Sequence, residues 1–157
     1  MAFFTLGNIY LNENVQDSAT IYFQKGLTTS DNGKLNNIGL GQIDLDKKDV
    51  AAAQAKFTLV TKDMRKKDYQ EYIYVARAYM NAEKTDYISA ISILNKAAVN
   101  NSQDAQLQLA LGDAYYGDGK QNEAYVAYRN AFQIDNTLLR AKMQLCVLLK
   151  GAKSYDE

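Results

Sequence analysis

The sequence contains no histidine, no proline and no tryptophan, and its single cysteine is Cys146. Zinc sites are built mainly from cysteine and histidine, and one cysteine cannot form a disulfide within the chain. Histidine, the most common general base of enzymes, is absent, and the carboxylates are scattered rather than paired. We therefore predict a protein that is not an enzyme and that uses no metal or cofactor.

The charge balance and the hydropathy pattern argue against two further classes of function. Lysine and arginine total 18, aspartate and glutamate also total 18, and no apolar run is long enough to cross a bilayer. We expect neither nucleic-acid binding nor membrane insertion. The first residues lack the basic and apolar regions of a signal peptide. A soluble cytoplasmic location, or a periplasmic one if a parent chain carries a signal peptide, both stay open, and the richness in Asn and Tyr suggests a bacterial source.

Equivalent residue types recur at a constant interval along the chain. Gly41 follows Gly7, Ala53 follows Ala19 and Phe57 follows Phe23, each by 34 residues. The same interval separates three further pairs: Ala90 and Ala124, Leu94 and Tyr128, and Gly112 and Cys146. A fixed period of this length indicates a repeat architecture in which each repeat is one supersecondary unit.

The middle of the chain departs from this period. Ala90 follows Ala53 by 37 residues, which is three more than the period. Polar connections tolerate insertions best, so we place one extra residue at 62–68 and two more at 81–86. The predicted repeats are then about 1–33, 34–68, 69–104 and 105–138, with a partial fifth over 139–157.

The absence of proline and the 47% apolar content favour helices throughout. Clusters of Asn, Asp and Gly mark turns inside the repeats, as at 12–14, 46–49 and 117–119. The first helix of each repeat is predicted near 2–12, 35–46, 69–81, 105–117 and 139–150. The second helix is predicted near 16–29, 50–63, 87–99 and 121–134. The fold class is therefore all-α.

One repeat carries most of a known motif. The pattern W-x2-L-G-x2-Y followed by A-x3-F is matched by Leu111, Gly112, Tyr115, Ala124 and Tyr128, with Gln108 in the place of the Trp. The chain thus resembles the tetratricopeptide repeat (TPR) family. The resemblance implies an α-solenoid, a right-handed superhelix of antiparallel helix pairs with about four units and a partial fifth. It also implies a scaffold for protein–protein interaction.

Small residues recur where two helices must approach closely. Gly7, Gly41 and Gly112 lie on first helices, and aromatic side chains such as Phe23 on second helices fill the space between neighbouring units. Cys146 occupies the position equivalent to Gly112. We therefore expect its thiol to be buried and inert.

In the family that the sequence resembles, the first helix of each unit lines a concave groove. Residues spaced i, i+4, i+7 share one helix face, which gives four rows. These candidate peptide-groove rows are Phe4-Asn8-Leu11, Ile38-Gln42-Leu45, Ile73-Arg77-Met80 and Leu109-Asp113-Tyr116. Side by side they would form two apolar ridges flanking a polar ladder. The alternative is that the ridges pack against each other or against second helices. Tyr74 and Tyr116 fall outside the motif and are candidate contact residues.

The function predicted from these features is a non-catalytic scaffold that binds a peptide or protein segment in the groove. The alternative is a structural spacer or self-association segment, because the helix at 139–150 is apolar on most sides and both ends look uncapped. We expect the 157 residues to be a single array cut from a longer one. The partner has no signature in the sequence.

Overall fold

The computed structural model describes residues 1–29, 33–62 and 69–153, and over these ranges it contains only α-helices as regular structure. The nine helices are α1 (Ala2–Asn12), α2 (Gln16–Thr28), α3 (Gly33–Asp46), α4 (Val50–Thr61), α5 (Gln70–Asn81), α6 (Tyr87–Asn101), α7 (Ala105–Gly117), α8 (Gln121–Ile134) and α9 (Leu139–Lys153). The all-α prediction is confirmed, and each helix end lies within three residues of its predicted position.

The turn between the two helices of a repeat has one recurring geometry. Asn14, Lys48 and Gly119 occupy equivalent positions and have positive φ angles of 62°, 64° and 76°. In each turn the amide of the next residue donates to a carbonyl five residues earlier, as from Val15 to Tyr10 over 2.8 Å. This left-handed residue and its bond end the first helix and reverse the chain.

The turn at 81–86 is built differently. Here the closing bond runs from the amide of Asp86 to the carbonyl of Tyr79, over 3.0 Å and seven residues rather than five. The difference of two residues confirms the insertion predicted there. The insertion predicted at 62–68 lies almost entirely outside the described residues.

The chain divides into two compact units, Met1–Asp86 with α1 to α5 and Tyr87–Glu157 with α6 to α9. In the first unit, α1 packs on α2, α3 packs on α4, and α3 also contacts α1, α2 and α5. In the second unit, α7 packs on α6 and α8, and α8 packs on α9. The division falls between the two helices of the predicted third repeat. The single array over 1–157 therefore stays a prediction.

Glycines allow the close helix contacts that the sequence predicts. The ring of Phe23, which is fully buried, lies between Gly7 of α1 and Gly39 of α3, and a Cβ atom on either glycine would collide with it. Tyr128 of α8 fills the same space beside Gly112 of α7. Close packing of this kind leaves no room for even one methyl group.

The prediction that Cys146 is buried is wrong, because its side chain is exposed. Helix α9 packs on the other helices of the second unit through Ala141, Leu145 and Leu148. The equivalent face of α7, at Gly112, is covered by Tyr128 of the helix that follows it. Among the described residues no helix follows α9, so the face that carries Cys146 is open.

Candidate functional site

In the first unit, α1, α3 and α5 enclose a cleft of about 260 Å³. All three helices are first helices of their predicted repeats, as the groove prediction requires. Six of the candidate groove residues line the cleft: Phe4, Asn8, Leu11, Ile38, Gln42 and Arg77. The structure thus brings together residues from three of the four predicted rows.

Side-chain amides give the cleft its polar character. Asn8 and Asn12 lie one turn apart on α1, Gln42 lies on α3, and Asn81 lies at the end of α5. Each amide offers both a donor and an acceptor, which is also what a peptide main chain offers. Their side chains form no hydrogen bonds within the described part of the chain, so these groups are available to a ligand.

Among the described residues that line this cleft, Arg77 is the only charged one. Its guanidinium carbon lies 5.8 Å from the centroid of the Tyr74 ring, which is a cation–π arrangement. Tyr74 in turn meets Phe4 edge-on, with ring centroids 5.7 Å apart and planes at 89°. The cation–π contact places the guanidinium beside the Tyr74 ring, and Arg77 forms no ion pair with any described carboxylate.

The first predicted ridge is part of the core. Phe4, Ile38, Ile73 and Leu109 were expected to stand on an open face, but their exposed fractions are 8%, 3%, 6% and 3%. Within the first unit, neighbouring first helices pack directly on one another, and these apolar side chains fill the contact. For this ridge the alternative of internal packing is therefore correct. In the second ridge Leu11 is buried, Leu45 and Met80 are half-buried, and Tyr116 is 42% exposed.

The fourth row lies in the second unit, where Asp113 is already engaged. The phenol of Tyr128 donates to one carboxylate oxygen over 3.0 Å, and Arg140 of α9 donates to the other over 2.7 Å. Burial raises the pKa of the Tyr128 phenol, and the negative charge of Asp113 raises it further. Leu109 lies in the same apolar cluster as Tyr128 and Ala141. This row thus joins α7 to α8 and α9.

Sequence reasoning missed Asn12 and Asn81, which also line the cleft. A signal was present, since each follows a predicted ladder residue, Asn8 or Arg77, by one helical turn. Tyr74, a candidate contact residue because it falls outside the motif, lies in the cleft wall.

The described residues also bear on metal binding and on membrane insertion. Within the described ranges, no three His, Cys, Asp or Glu side chains cluster in a way that could hold a metal ion. None of the described helices is both long and apolar enough to span a bilayer.

Comparison with known proteins bears on the architecture. The sequence model of the family described as tetratricopeptide repeat-like domain matches residues 12–146. Among solved structures, the chain is similar to TTC0263, a thermophilic TPR protein of Thermus thermophilus (TM-score 0.63, 19% identity, covering 96% of this chain and 81% of that one). It is also similar to MamA of Desulfovibrio magneticus RS-1 (TM-score 0.60, 17% identity, covering 99% and 86%). A third is YrrB, described as a TPR protein with an unusual peptide-binding site (TM-score 0.55, 16% identity, covering 96% and 76%).

No curated protein gives a significant match. The family model, however, spans most of the sequence, and the structures similar to it are helical repeat proteins. The observed helix pairs, turns and glycine contacts are those that the motif requires. The chain belongs to the tetratricopeptide repeat-like family.

Proposed function

We propose that this protein is a non-catalytic interaction scaffold and that the cleft of its first unit holds an extended peptide segment of a partner protein. The observation that carries the proposal is the set of four amide side chains around Arg77, contributed by three successive first helices. Helical repeats commonly recognise extended partners on such surfaces.

The chemistry of the lining supports a peptide rather than an apolar ligand. Asn8, Gln42 and Asn81 can each pair with main-chain amides and carbonyls of an extended segment. Arg77 supplies the one positive charge, held in place by Tyr74, and it suits a carboxylate or a carbonyl of the ligand. The similar structure YrrB is described as having a peptide-binding site, which supports a ligand of the same class.

The test begins with a peptide library displayed on phage and selected against the whole chain. The tightest selected peptide is then measured by calorimetry with wild type and with Arg77→Ala. We expect Arg77→Ala to weaken binding by about tenfold or more, since it removes a charge-assisted bond. Arg129→Ala, which removes an exposed arginine of α8, is the matched control and should bind as wild type does. Peptides that bind Arg77→Ala and Asn8→Ala as tightly as wild type would refute the cleft.

A second candidate function rests on α9. Leu139, Met143, Val147 and Leu149 are 70%, 68%, 51% and 50% exposed. These apolar side chains share the exposed side of α9 with Lys142 and Lys150, and their exposure favours association of copies, which is the spacer or self-association role. Light scattering at increasing concentration tests it: Met143→Lys should remove any association, whereas Val99→Lys, at an 80% exposed site on α6, should not. A wild-type chain that stays monomeric at high concentration excludes this role.

A further inference from the structure

A second groove lies wholly within the second unit, between α6 and α8 and above α7. It consists of two cavities of about 530 Å³ and 440 Å³, which share Gln108 and Asn130 as lining residues. None of the candidate groove residues predicted from the sequence lines either cavity. The groove is therefore distinct from the cleft of the first unit.

The groove has a cause in the sequence. Gln108 stands at the motif position that the family pattern gives to tryptophan, and its side chain lies under both cavities. Glutamine lacks the volume of an indole, so the space beside α7 is left open. The same substitution replaces an apolar surface with an amide.

Gln108 is polar, only 9% exposed and incompletely satisfied. Its Nε2 donates to the carbonyl of Ser102 over 3.1 Å, and within the described part of the chain its amide oxygen accepts no hydrogen bond. Water reaches this oxygen from the groove, so a bound donor would take the place of that water. This oxygen therefore favours a ligand that brings an N–H group into the groove.

The rest of the lining repeats the same chemistry. Beside Gln108, five amide side chains line the groove and make no side-chain hydrogen bond to any described residue: Asn95, Gln103, Asn122, Asn130 and Gln133. Of the lining residues that the structure describes, only Glu123 is charged, and Leu111, Tyr115 and Val126 form an apolar floor at one end. A ligand that matches this surface is neutral, rich in amides, and apolar at one end.

The length of the groove sets the length of the ligand. Asn122 and Gln133 are eleven residues apart on α8, which corresponds to about 16 Å along the helix axis. An extended chain rises about 3.3 Å per residue, so about five residues span this distance. We propose that this groove binds an extended, uncharged peptide of about five residues, with an apolar side chain over Val126 and polar uncharged side chains over the remaining amides.

The test uses an array of capped pentapeptides. Each has Leu, Val, Phe or Tyr at one end and Ser, Thr, Asn or Gln at the other four positions, and a parallel set replaces two polar residues with Asp. The labelled whole chain should bind members of the neutral set and discriminate against the acidic set, because Glu123 repels it. The best binder is then titrated into isotopically labelled protein and followed by NMR. We expect shifts at the side-chain amides of Gln108, Asn122 and Asn130.

Variants then assign the site. Gln108→Trp restores the motif residue and fills the groove, so the peptide-induced NMR shifts should disappear. Gln106→Trp adds the same ring at an exposed position of α7 and should leave the peptide-induced shifts intact. If Gln108→Trp does not fold, Asn130→Ala, at a half-exposed position lining both cavities, replaces it and should weaken binding about fivefold. The proposal fails if no neutral peptide binds, if Gln108→Trp or Asn130→Ala binds normally, or if the shifts map to the cleft at Arg77.

Discussion

Tyr128 and Asp113 form a hydrogen bond of 3.0 Å between α8 and α7, inside the apolar cluster of the second unit. Tyr128 is fully buried, and its ring fills the space that Gly112 leaves open. Asp113 also receives a bond from Arg140 of α9. The hydroxyl at this one motif position, which the family pattern fills with phenylalanine, therefore joins α8 to α7, and Asp113 in turn joins α7 to α9.

Removing that hydroxyl should lower stability. Tyr128→Phe keeps the ring but leaves Asp113 without its buried donor, and we expect the free energy of unfolding to fall by about 1–2 kcal/mol. Tyr116→Phe, at a 42% exposed position on α7, is the control and should change it by less than about 0.5 kcal/mol. Urea unfolding followed by circular dichroism measures both. Equal stability of the two variants would show that the bond contributes nothing.

The raised pKa of Tyr128 predicts a dependence of stability on alkaline pH. Burial and Asp113 favour the neutral phenol in the folded protein, so the folded pKa exceeds the unfolded value of about 10. The unfolded chain therefore loses its proton first. The stabilisation is fully present below pH about 10 and is lost as the pH rises from there towards the folded pKa. Tyr79, whose pKa is also raised by burial, acts in the same direction.

The measurement compares urea unfolding at pH about 8 and about 11. Wild type should lose more unfolding free energy than Tyr128→Phe over this interval, because the variant has no phenol to ionise at this position. Matching losses in the two proteins would contradict the assignment to Tyr128.

The close contact between Gly112 and the ring of Tyr128 leads to a prediction that has a matched control in the same unit. Alanine is the better helix former, so Gly→Ala at an open site on a helix should stabilise by about 0.5–1 kcal/mol. At Gly112 the added Cβ collides with the ring of Tyr128, and overpacking of this kind should reverse the sign, with a net loss of about 1–3 kcal/mol. At Gly151 on α9 no atom of the described residues lies within 4 Å of the added atom, so Gly151→Ala should be neutral or stabilising. Thermal unfolding distinguishes the two, and a stabilised Gly112→Ala would mean that Tyr128 can move aside.

The extent to which sequence predicted this structure can be traced to particular residues. The interval from Gly7 to Gly41 placed the helices and their glycine contacts, because each repeat solves the same packing problem with similar residues. Phe4 and Ile38 line the cleft, but they were wrongly expected to be exposed, because helical periodicity does not tell which neighbouring helix covers an apolar residue. The groove at Gln108 was missed for a related reason. A motif mismatch shows that a side chain is smaller, but only the three-dimensional structure shows that the space stays open.

The exposure of Cys146 predicts that its thiol reacts readily in the folded protein. A reagent that reacts with thiols should modify Cys146 in the folded protein at a rate within about tenfold of that in the urea-unfolded chain, since access rather than unfolding limits the reaction. Cys146→Ser, which has no thiol, gives the background. A buried thiol, as its position equivalent to Gly112 suggested, would react only through unfolding and therefore many orders of magnitude more slowly. Slow modification that accelerates only in denaturant would show that this face of α9 is covered in solution. Fast modification that slows as the protein concentration is raised would instead show that a second copy covers it.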